Sequence, residues 1–296
     1  MSPPGLRAVV GSGIPIVTET GGEGVDANAT KQDIDLGLGG KVALVTGAGA
    51  GIGREIARWL AQAGCRLAVN DIDAGAAART VEALRAEGRD AVAAVANVRD
   101  EAEVARMLDA VQQALGGLDV AVNNVGMNAE RPVMPFAELD GAYVRDVLEQ
   151  NLVATTLCCI AEARLMLAQG RGGVILNVSS GETTRPSPQL IPYGAAKAGI
   201  NHLTQSMAAE LGPQGIRVIA MAPGTTLTER VRETFSEAHV EAIRSSNPLR
   251  RMTEPEELGR MAVFLASDLA RCVTGQFVLA DAGAHLSRSR PANAEP

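Results

Sequence analysis

Tyr193 and Lys197 are a candidate acid–base pair. The chain holds only two tyrosines and three lysines, yet one of each lies four residues apart in PYGAAKAG (192–199), so both fall on one face of a helix. Lowering a phenol pKa from 10 to about 8 takes roughly 2.7 kcal/mol, and an ammonium at about 4 Å supplies on the order of 4 kcal/mol. We therefore predict that Lys197 lowers the pKa of Tyr193 and that Tyr193 exchanges a proton with a substrate oxygen. The alternative is a chance pairing on an alanine-rich helix.

A glycine-rich stretch is the second candidate site. In VALVTGAGAGIGREIARWL (42–60), Gly47, Gly51, Ile52 and Gly53 lie between an apolar run and an amphipathic helical pattern. Glycines let the backbone approach a pyrophosphate, and a helix N-terminus offers free N–H groups and the positive end of a dipole. The pattern predicts a nucleotide site at the turn from the first strand to the first helix.

Asp71 is the candidate that selects the nucleotide. It follows Thr46 by 25 residues, at the end of the second apolar run. A carboxylate there accepts hydrogen bonds from both adenosine-ribose hydroxyls of NAD and repels the 2′-phosphate of NADP. Ala50 and Ile72, where a basic residue would favour NADP, are not basic. We therefore predict NAD as the cofactor; the alternative is a solvated Asp at a strand end.

The elements that must position these residues alternate along the chain. Nearly continuous apolar runs, as in strands buried on both faces, cover 42–46, 66–71, 91–97, 118–124, 173–180, 216–223 and 275–281. Helical spacing covers 52–63, 74–87, 100–115, 140–169, 193–211 and 254–267, and Gly64, Gly88 and Gly212 stand at expected helix C-caps. The alternation predicts an α/β fold: a single-domain, Rossmann-type, doubly wound parallel sheet of about seven strands with helices on both faces. Ligands then bind at the carboxyl ends of the strands.

The two ends of the chain differ from this central part. Residues 1–40 are rich in glycine and proline and predict a flexible N-terminal arm. Residues 41–284 form the predicted dinucleotide-binding and catalytic domain, with a lid at about 225–250 whose apolar face is Val231, Phe235, Val240 and Ile243. Residues 285–296 are a polar tail that we expect to fray.

Composition excludes several classes of function. The net charge of −7 and the aromatic content of 2% argue against nucleic acid and anionic membrane as partners. No apolar run approaches the length of a membrane span, and no secretory signal is evident. The four cysteines are typical of small buried hydrophobes in a reducing compartment, and the three histidines are too scattered for a metal site. We expect a cytoplasmic enzyme without a metal.

Together these motifs resemble the short-chain dehydrogenase/reductase family over about residues 40–283. The resemblance rests on motifs that occur in order: TGAGAGIG (46–53), Asp71, NNVG (123–126), Asn151, Ser180, YGAAK (193–197), PGTTLT (223–228) and the segment 255–283. It implies an NAD-dependent oxidoreductase that acts on a secondary alcohol or ketone, and it implies a homotetramer joined through helices such as 140–169 and 193–211.

The resemblance also implies the roles of individual residues. The catalytic tetrad is Asn151, Ser180, Tyr193 and Lys197, in which Ser180 orients the substrate oxygen and Asn151 positions a water. The cofactor-binding residues are Gly47, Gly51, Ile52, Gly53, Asp71, Asn97, Val98, Asn124, Gly126, Tyr193, Lys197, Pro223, Gly224 and Thr228. Asn97 stands where the family often has Asp, so we expect altered cofactor affinity but not its loss.

Three other functions remain open, together with the roles of two pocket residues. The alternatives are a 3-oxoacyl-(acyl carrier protein) reductase-like enzyme, which usually pairs with NADPH, a non-redox nucleotide-binding regulator on the same fold, and an epimerase or lyase that holds NAD tightly. Arg185 flanks the predicted pocket and either meets an acidic substrate or is an ordinary surface arginine, which is the default reading. His239 is expected to be solvated. Nothing in the sequence names the substrate.

Overall fold

A computed structural model describes residues 34–127 and 133–287, and the backbone of 6–8 and 17–19. The chain divides into two units, Met1–Ile34 and Asp35–Pro296. In the first unit β1 (Leu6–Ala8) pairs with β2 (Val17–Glu19) in antiparallel orientation. The remainder of the predicted arm up to residue 33, and residues 288–296 of the predicted tail, lie outside the described residues.

The second unit is built on a seven-stranded sheet with the order β5-β4-β3-β6-β7-β8-β9, in which every pair is parallel. The strands are β3 (Val42–Val45), β4 (Arg66–Val69), β5 (Ala91–Ala93), β6 (Val120–Asn123), β7 (Gly173–Val178), β8 (Ile216–Pro223) and β9 (Phe277–Ala280). All residues of β3 and β6 are buried, because helices cover both faces. The predicted doubly wound fold is therefore confirmed. The strand order reverses between β3 and β6, and a crevice for ligands is expected at such a point.

Most helices of this unit cover the two faces of the sheet, and two belong to the predicted lid. The helices are α1 (Gly51–Gln62), α2 (Ala74–Ala86), α3 (Glu101–Leu115), α4 (Gly141–Leu148), α5 (Ala154–Gln169), α6 (Ile191–Leu211), α7 (Glu229–Thr234), α8 (Glu237–Ser246) and α9 (Pro255–Ala266). One apolar core includes residues of α1, α2 and α9, and the other includes residues of α3, α5 and α6. The predicted lid consists of α7 and α8, neither of which contains a buried residue.

The predicted continuous helix 140–169 is interrupted. A π-helical turn, Glu149–Val153, separates α4 from α5. Such turns are rare and occur frequently at functional sites, and this one carries the predicted tetrad residue Asn151. Periodicity did not reveal it because one wider turn leaves the helical pattern of apolar residues on either side intact.

The three predicted glycines all lie at helix ends, but one of them differs in conformation. Gly64 (φ +96°) and Gly88 (φ +74°) adopt the left-handed conformation expected after a helix. Gly212 instead has φ −55°, because the chain continues into a 3₁₀ turn, Gly212–Gln214. The left-handed residue that ends this segment is Gly215 (φ +75°).

The ordered unit is longer at both ends than predicted. Leu38 is 2% exposed and belongs to a core cluster, and the carbonyl of Leu36 accepts a hydrogen bond from the Asp268 N–H at 3.0 Å. The folded unit thus begins before residue 41. At the other end Ala284–Leu286 forms a 3₁₀ turn, so the tail does not begin to fray at His285.

We expected no stretch apolar enough and long enough to span a membrane, but one helical stretch meets both criteria. Gly141–Gln169 is long and apolar enough by length and hydropathy. However, Cys158, Cys159 and Met166 of this stretch are buried in the core beside the sheet.

Three of the four cysteines are buried, namely Cys65, Cys158 and Cys159. Cys272 is exposed, contrary to the expectation of four buried cysteines.

Candidate active site

The glycine loop lies between β3 and α1. Gly47 (φ +61°) and Gly51 (φ +52°) adopt left-handed conformations. A Cβ atom at Gly53 would lie 2.3 Å from the carbonyl oxygen of Gly47, so only glycine fits there. The residue preceding α1 is Ala50, and no side chain caps this helix. The first N–H groups of α1 are therefore left for a ligand at its positive end.

Asn124 holds the glycine loop in place. Its side-chain Nδ2 donates to the carbonyl oxygens of Thr46 (3.0 Å) and Gly47 (3.3 Å), and its backbone N–H donates to Thr46 Oγ1 (3.0 Å). Thr46 is thus a structural part of the site that was absent from the predicted residues. The signal that could have found it is a hydroxyl residue at the end of an otherwise apolar strand.

Asp71 lies against the same loop, at the end of β4. Its Oδ2 accepts a hydrogen bond from the Gly49 N–H at 3.0 Å, and its Oδ1 accepts one from the Asp73 N–H at 3.0 Å. A Cβ atom at Gly49 would lie 2.6 Å from Asp71 Oδ2, so a glycine is needed here too. The neighbouring Ile72 is 69% exposed and adds no positive charge.

Asn97 and Val98 lie near Asp71, on the chain that follows β5. The Ala96 N–H donates to the Asp71 carbonyl (3.4 Å), and the side chain of Asn70 donates to the carbonyls of Ala94 (2.8 Å) and Ala96 (3.1 Å). Asn97 Oδ1 accepts from the Arg99 N–H (3.1 Å), which leaves its Nδ2 as the group that could face an adenine. Val98 is buried.

Ser180 and Tyr193 meet at the carboxyl end of β7. Ser180 follows this strand and is 6% exposed, and Tyr193 lies in the first turn of α6. Burial raises the pKa of the Tyr193 phenol, the hydrogen bond with the Ser180 side chain opposes this effect, and the negative charge of Glu182 adds to it. The prediction that Lys197 lowers this pKa is therefore wrong for the protein without its ligands, because burial shifts the pKa in the opposite direction.

Lys197 follows one turn later on the same helix and is 2% exposed. Its Nζ donates to the carbonyl oxygen of Val178 at 2.8 Å and lies 5.7 Å from the centre of the Tyr193 ring. Burial lowers the pKa of Lys197 to about 8. Burial explains why the simple charge argument failed, because desolvation raises the pKa of the Tyr193 phenol and also destabilises the Lys197 ammonium.

Asn151 extends from the π-helical turn towards Lys197. Its Nδ2 donates to the carbonyls of Val147 and Met127, both at 2.8 Å. Its Oδ1 is buried and has no hydrogen-bond partner among the described residues. Asn151 Oδ1 and Lys197 Nζ both lie close to Gly126 (φ +156°), Lys197 Nζ is near the Tyr193 ring, and Tyr193 is hydrogen-bonded with Ser180, so the four predicted tetrad residues are consecutive neighbours. A buried oxygen without a donor is costly, so Asn151 Oδ1 is suited to accept from a bound water or ligand.

Thr228 connects the glycine loop to the lid. Its hydroxyl caps α7 by accepting from the Val231 N–H at 3.3 Å, and its methyl group would lie 3.5 Å from a Cβ atom at Gly51. Arg54 of α1 also forms an ion pair with Glu229 of α7. Pro223 ends β8, and a Cβ atom at the adjacent Gly224 would lie 2.8 Å from Asp281 Cβ. The lid thus begins where the loop and the strand ends meet.

A cavity of about 150 Å³ is lined by Gly181 and Glu182, the two residues after Ser180, and by residues of the lid, but by none of the four tetrad residues. Two of the four predicted lid residues, Phe235 and Ile243, line it. Arg185 and His239 line it as well, and both are half-buried. The wall also contains His285, which the sequence placed in the fraying tail.

Glu162 is a buried carboxyl group that the sequence analysis did not single out. It lies on α5 at 0% exposure, and its Oε2 accepts from Asn123 Nδ2 at 2.9 Å. Its Oε1 has no partner among the described residues. Burial raises the pKa of Glu162 to about 7. The signal that could have found it is a single acid within the apolar stretch 157–168.

Comparisons with known proteins agree with this geometry. Residues 47–285 match the family described as enoyl-(acyl carrier protein) reductase. The short chain dehydrogenase/reductase astE of Aspergillus oryzae is 38% identical over 262 residues, covering 87% of this chain and 99% of the relative. The 3-oxoacyl-(acyl-carrier-protein) reductase FabG of Staphylococcus aureus is 37% identical over 247 residues, covering 83% and 98%.

A solved structure shares both the fold and the sequence pattern. It is that of a 7alpha-hydroxysteroid dehydrogenase complexed with NADH and 7-oxo glycochenodeoxycholic acid, with a TM-score of 0.79 and 34% identity. The match covers 84% of this chain and 96% of that chain. The parallel sheet, the ordered motifs and these similarities show that this chain belongs to the short-chain dehydrogenase/reductase family of oxidoreductases.

Proposed function

We propose that this protein transfers a hydride between NAD(H) and a secondary alcohol or ketone. The observation that carries the proposal is the cluster of Ser180, Tyr193, Lys197 and Asn151 at the carboxyl end of the sheet, beside a glycine loop and an uncapped helix. The relative with a bound NADH and an oxo-steroid supports a nicotinamide cofactor and a carbonyl substrate.

The residues present fit such a dinucleotide. The uncapped N-terminus of α1 suits a pyrophosphate, and the carboxylate of Asp71 suits two ribose hydroxyls. Lys197 Nζ and the unpartnered Asn151 Oδ1 supply a donor and an acceptor near the proposed nicotinamide end. When bound, the cofactor supplies or accepts the hydride.

Residues of the chain orient the substrate and transfer the proton. Ser180 would donate a hydrogen bond to the substrate oxygen and hold it near the Tyr193 hydroxyl. In the reductive direction Tyr193 gives its proton to the carbonyl oxygen while the carbonyl carbon receives the hydride, so a ketone becomes an alcohol. Desolvation raises the pKa of Tyr193 and so favours the protonated phenol, which is the form that donates in this step.

The proposal is tested by binding and turnover. NADH and NADPH are titrated by fluorescence, and ketones, including 7-oxo glycochenodeoxycholic acid, are screened by absorbance of the reduced cofactor. Tyr193→Phe should abolish turnover while it leaves NADH affinity within about twofold. Retained turnover removes Tyr193 from the mechanism, and the absence of binding for both nucleotides rejects the function itself.

A reductase of carrier-linked 3-oxoacyl substrates is the second candidate, favoured by the 37% identity to FabG. The same screen separates the two candidates when it includes acetoacetyl-coenzyme A as a thioester probe. Reduction of this thioester with NADPH, at a rate well above that of simple ketones, would favour the second candidate. Asp71 argues against it, because a carboxylate at the end of this strand would repel the 2′-phosphate of NADPH.

We also propose a homotetramer that is cytoplasmic and that binds neither nucleic acid nor membrane. An apolar stripe on the outer side of the π-helical turn and α5 supports association: Val153 is 42% exposed, Ile160 40% and Leu167 43%, each seven residues after the last. Light scattering after gel filtration measures the assembly. Ile160→Glu should lower the mass, and a monomeric mass for the natural sequence would contradict the proposal.

A further inference from the structure

The cavity beside Ser180 has a polar wall that the proposed hydride transfer does not use. Gly181 and Glu182, which follow Ser180 directly, form one part of its lining, and Arg185 and His285 form another. The cavity therefore presents charged groups next to Ser180, the residue at which the proposed function puts the reacting carbon. These groups bear on which carbonyl compound the site accepts.

The remaining wall is apolar and small. Leu190 precedes α6, and Phe235 and Ile243 come from the lid. The Phe235 ring meets His239 edge-on, with ring centres 4.7 Å apart, which fixes that side of the cavity. A cavity of about 150 Å³ accommodates a group of about the size of benzene. With the lid in this position the wall fits a short carbon skeleton.

The two carboxylates of the lining already have donors. Glu182 Oε2 accepts a hydrogen bond from the Ser187 hydroxyl at 2.5 Å. Asp281 accepts from the N–H groups of Gly283 and His285, both at 2.9 Å, and from His285 Nδ1 at 3.0 Å. Both acids are therefore held by neighbouring groups of the chain and are poorly placed to pair with Arg185.

Arg185 is the cation of this wall that lacks a carboxylate partner. Its guanidinium is half-buried and donates from Nη1 to the carbonyl of Ala284 at 2.9 Å, which fixes its position. Within 34–127 and 133–287 no carboxylate forms an ion pair with it. A positioned guanidinium with donors to spare binds a carboxylate through two parallel hydrogen bonds.

We propose that this cavity selects carbonyl substrates that end in a carboxylate, and that Arg185 binds this carboxylate. The inference rests on the proposed function and names its substrate class. Arg185 follows the 3₁₀ turn Gly181–Thr184, which begins after Ser180. At a rise of about 2 Å per residue, a position five residues after Ser180 lies roughly 10 Å farther along the chain. The carbonyl and the carboxylate are therefore separated by a short apolar chain, and 2-oxo acids are too short.

Matched substrates test the proposal. The probes are 6-oxoheptanoate, its methyl ester, and pyruvate, each assayed with NADH and with NADPH. We expect kcat/KM for 6-oxoheptanoate to exceed that of the ester by about 10- to 100-fold, the range for a hydrogen-bonded charged group. Pyruvate should be turned over far more slowly than 6-oxoheptanoate.

Variants assign the preference to Arg185. Arg185→Gln should raise KM for the acid and bring the acid-to-ester ratio near one, while kcat/KM for the ester stays within about twofold. Arg185→Lys keeps the charge and should retain part of the ratio, so it also serves if the glutamine variant fails to fold. Arg106→Gln, an exposed arginine on α3, is the matched control and should change nothing.

The outcomes separate this inference from the function on which it rests. Equal use of acid and ester by the natural protein, or an unchanged ratio in Arg185→Gln, overturns the role of Arg185 while ketone reduction stands. Absence of turnover for every ketone with both nucleotides, in this panel and in the wider screen, contradicts the proposed function, and this inference falls with it.

Discussion

Asn151 and Lys197 approach the same point from two different helices, on either side of a glycine. A Cβ atom at Gly126 would lie 2.6 Å from Asn151 Oδ1 and 2.7 Å from Lys197 Nζ. Both distances are shorter than any ordinary contact of a methyl group, so the two polar atoms depend on the absence of a side chain there. Gly126 also has φ +156°, a conformation that disfavours other residues.

Gly126→Ala should therefore damage the site more than the fold. The added methyl group must displace both polar atoms, and a misplacement of about 1 Å can cost on the order of 100-fold in rate. We expect kcat to fall by about this factor, measured by absorbance of the reduced cofactor. Gly88→Ala is the matched control, because Gly88 is also left-handed but a Cβ atom there meets nothing within 4 Å. Equal losses in the two variants would contradict the steric argument.

Asp71 should set the choice between the two nicotinamide cofactors. Asp71→Ala removes the proposed acceptor for the ribose hydroxyls and the charge that repels a 2′-phosphate. The ratio of NADPH to NADH affinity should rise at least about 10-fold, measured by fluorescence titration, and Ile72→Arg added to it should raise the ratio further. Asp73→Ala removes a neighbouring acid that caps α2, and it should change stability without changing this ratio. A ratio unaffected by Asp71→Ala rejects the assignment.

Glu162 should make stability depend on pH. Its folded pKa of about 7 lies above the model-compound value of 4.5, so the folded chain binds this proton more tightly than the unfolded chain does. Raising the pH from 4.5 through 7 therefore lowers the free energy of unfolding, by about 3 kcal/mol in total, and above 7 the loss is complete.

Glu162→Gln cannot ionise and should lose this dependence. Urea unfolding at pH 5 and pH 8 measures the free energy of unfolding of both proteins. The natural protein should lose stability between these values relative to the variant, whereas the exposed Glu82→Gln should behave like the natural protein. The prediction is contradicted if the free energy of unfolding changes equally with pH in Glu162→Gln and in the natural protein. Burial would then raise the pKa of Glu162 by less than stated.

Ala282 offers a stabilising substitution. It has φ +54°, a left-handed conformation that costs a residue with a Cβ atom about 1 kcal/mol. Ala282→Gly should relieve this strain and raise the free energy of unfolding by somewhat under about 1 kcal/mol, because glycine also loses more entropy on folding. Thermal unfolding should show a higher Tm. Ala83→Gly, an exposed position inside α2, should lower the Tm instead. A lower Tm for both variants would show that Ala282 contributes packing that outweighs its strain.

Regular elements and the order of the motifs followed from the sequence. Buried strands such as Val42–Val45 appear as apolar runs, and the spacing of Tyr193 and Lys197 places them on one helix, because both are local patterns. The position of Asp71 at a strand end and the glycines between β3 and α1 could be predicted for the same reason, because they too are local patterns. These local signals were sufficient for the fold and for the predicted residues of the site.

The electrostatics and the pocket wall were decided only by the tertiary structure. Whether Lys197 lowers the pKa of Tyr193 depends on a separation and a burial that no spacing contains, and the raised pKa reflects desolvation by neighbours distant in sequence. The π-helical turn that aims Asn151, the contact of Arg185 with Ala284 and the buried carboxyl of Glu162 likewise arise from segments brought together by folding. Local patterns determine which elements form, whereas distances and desolvation between elements determine what their side chains can do.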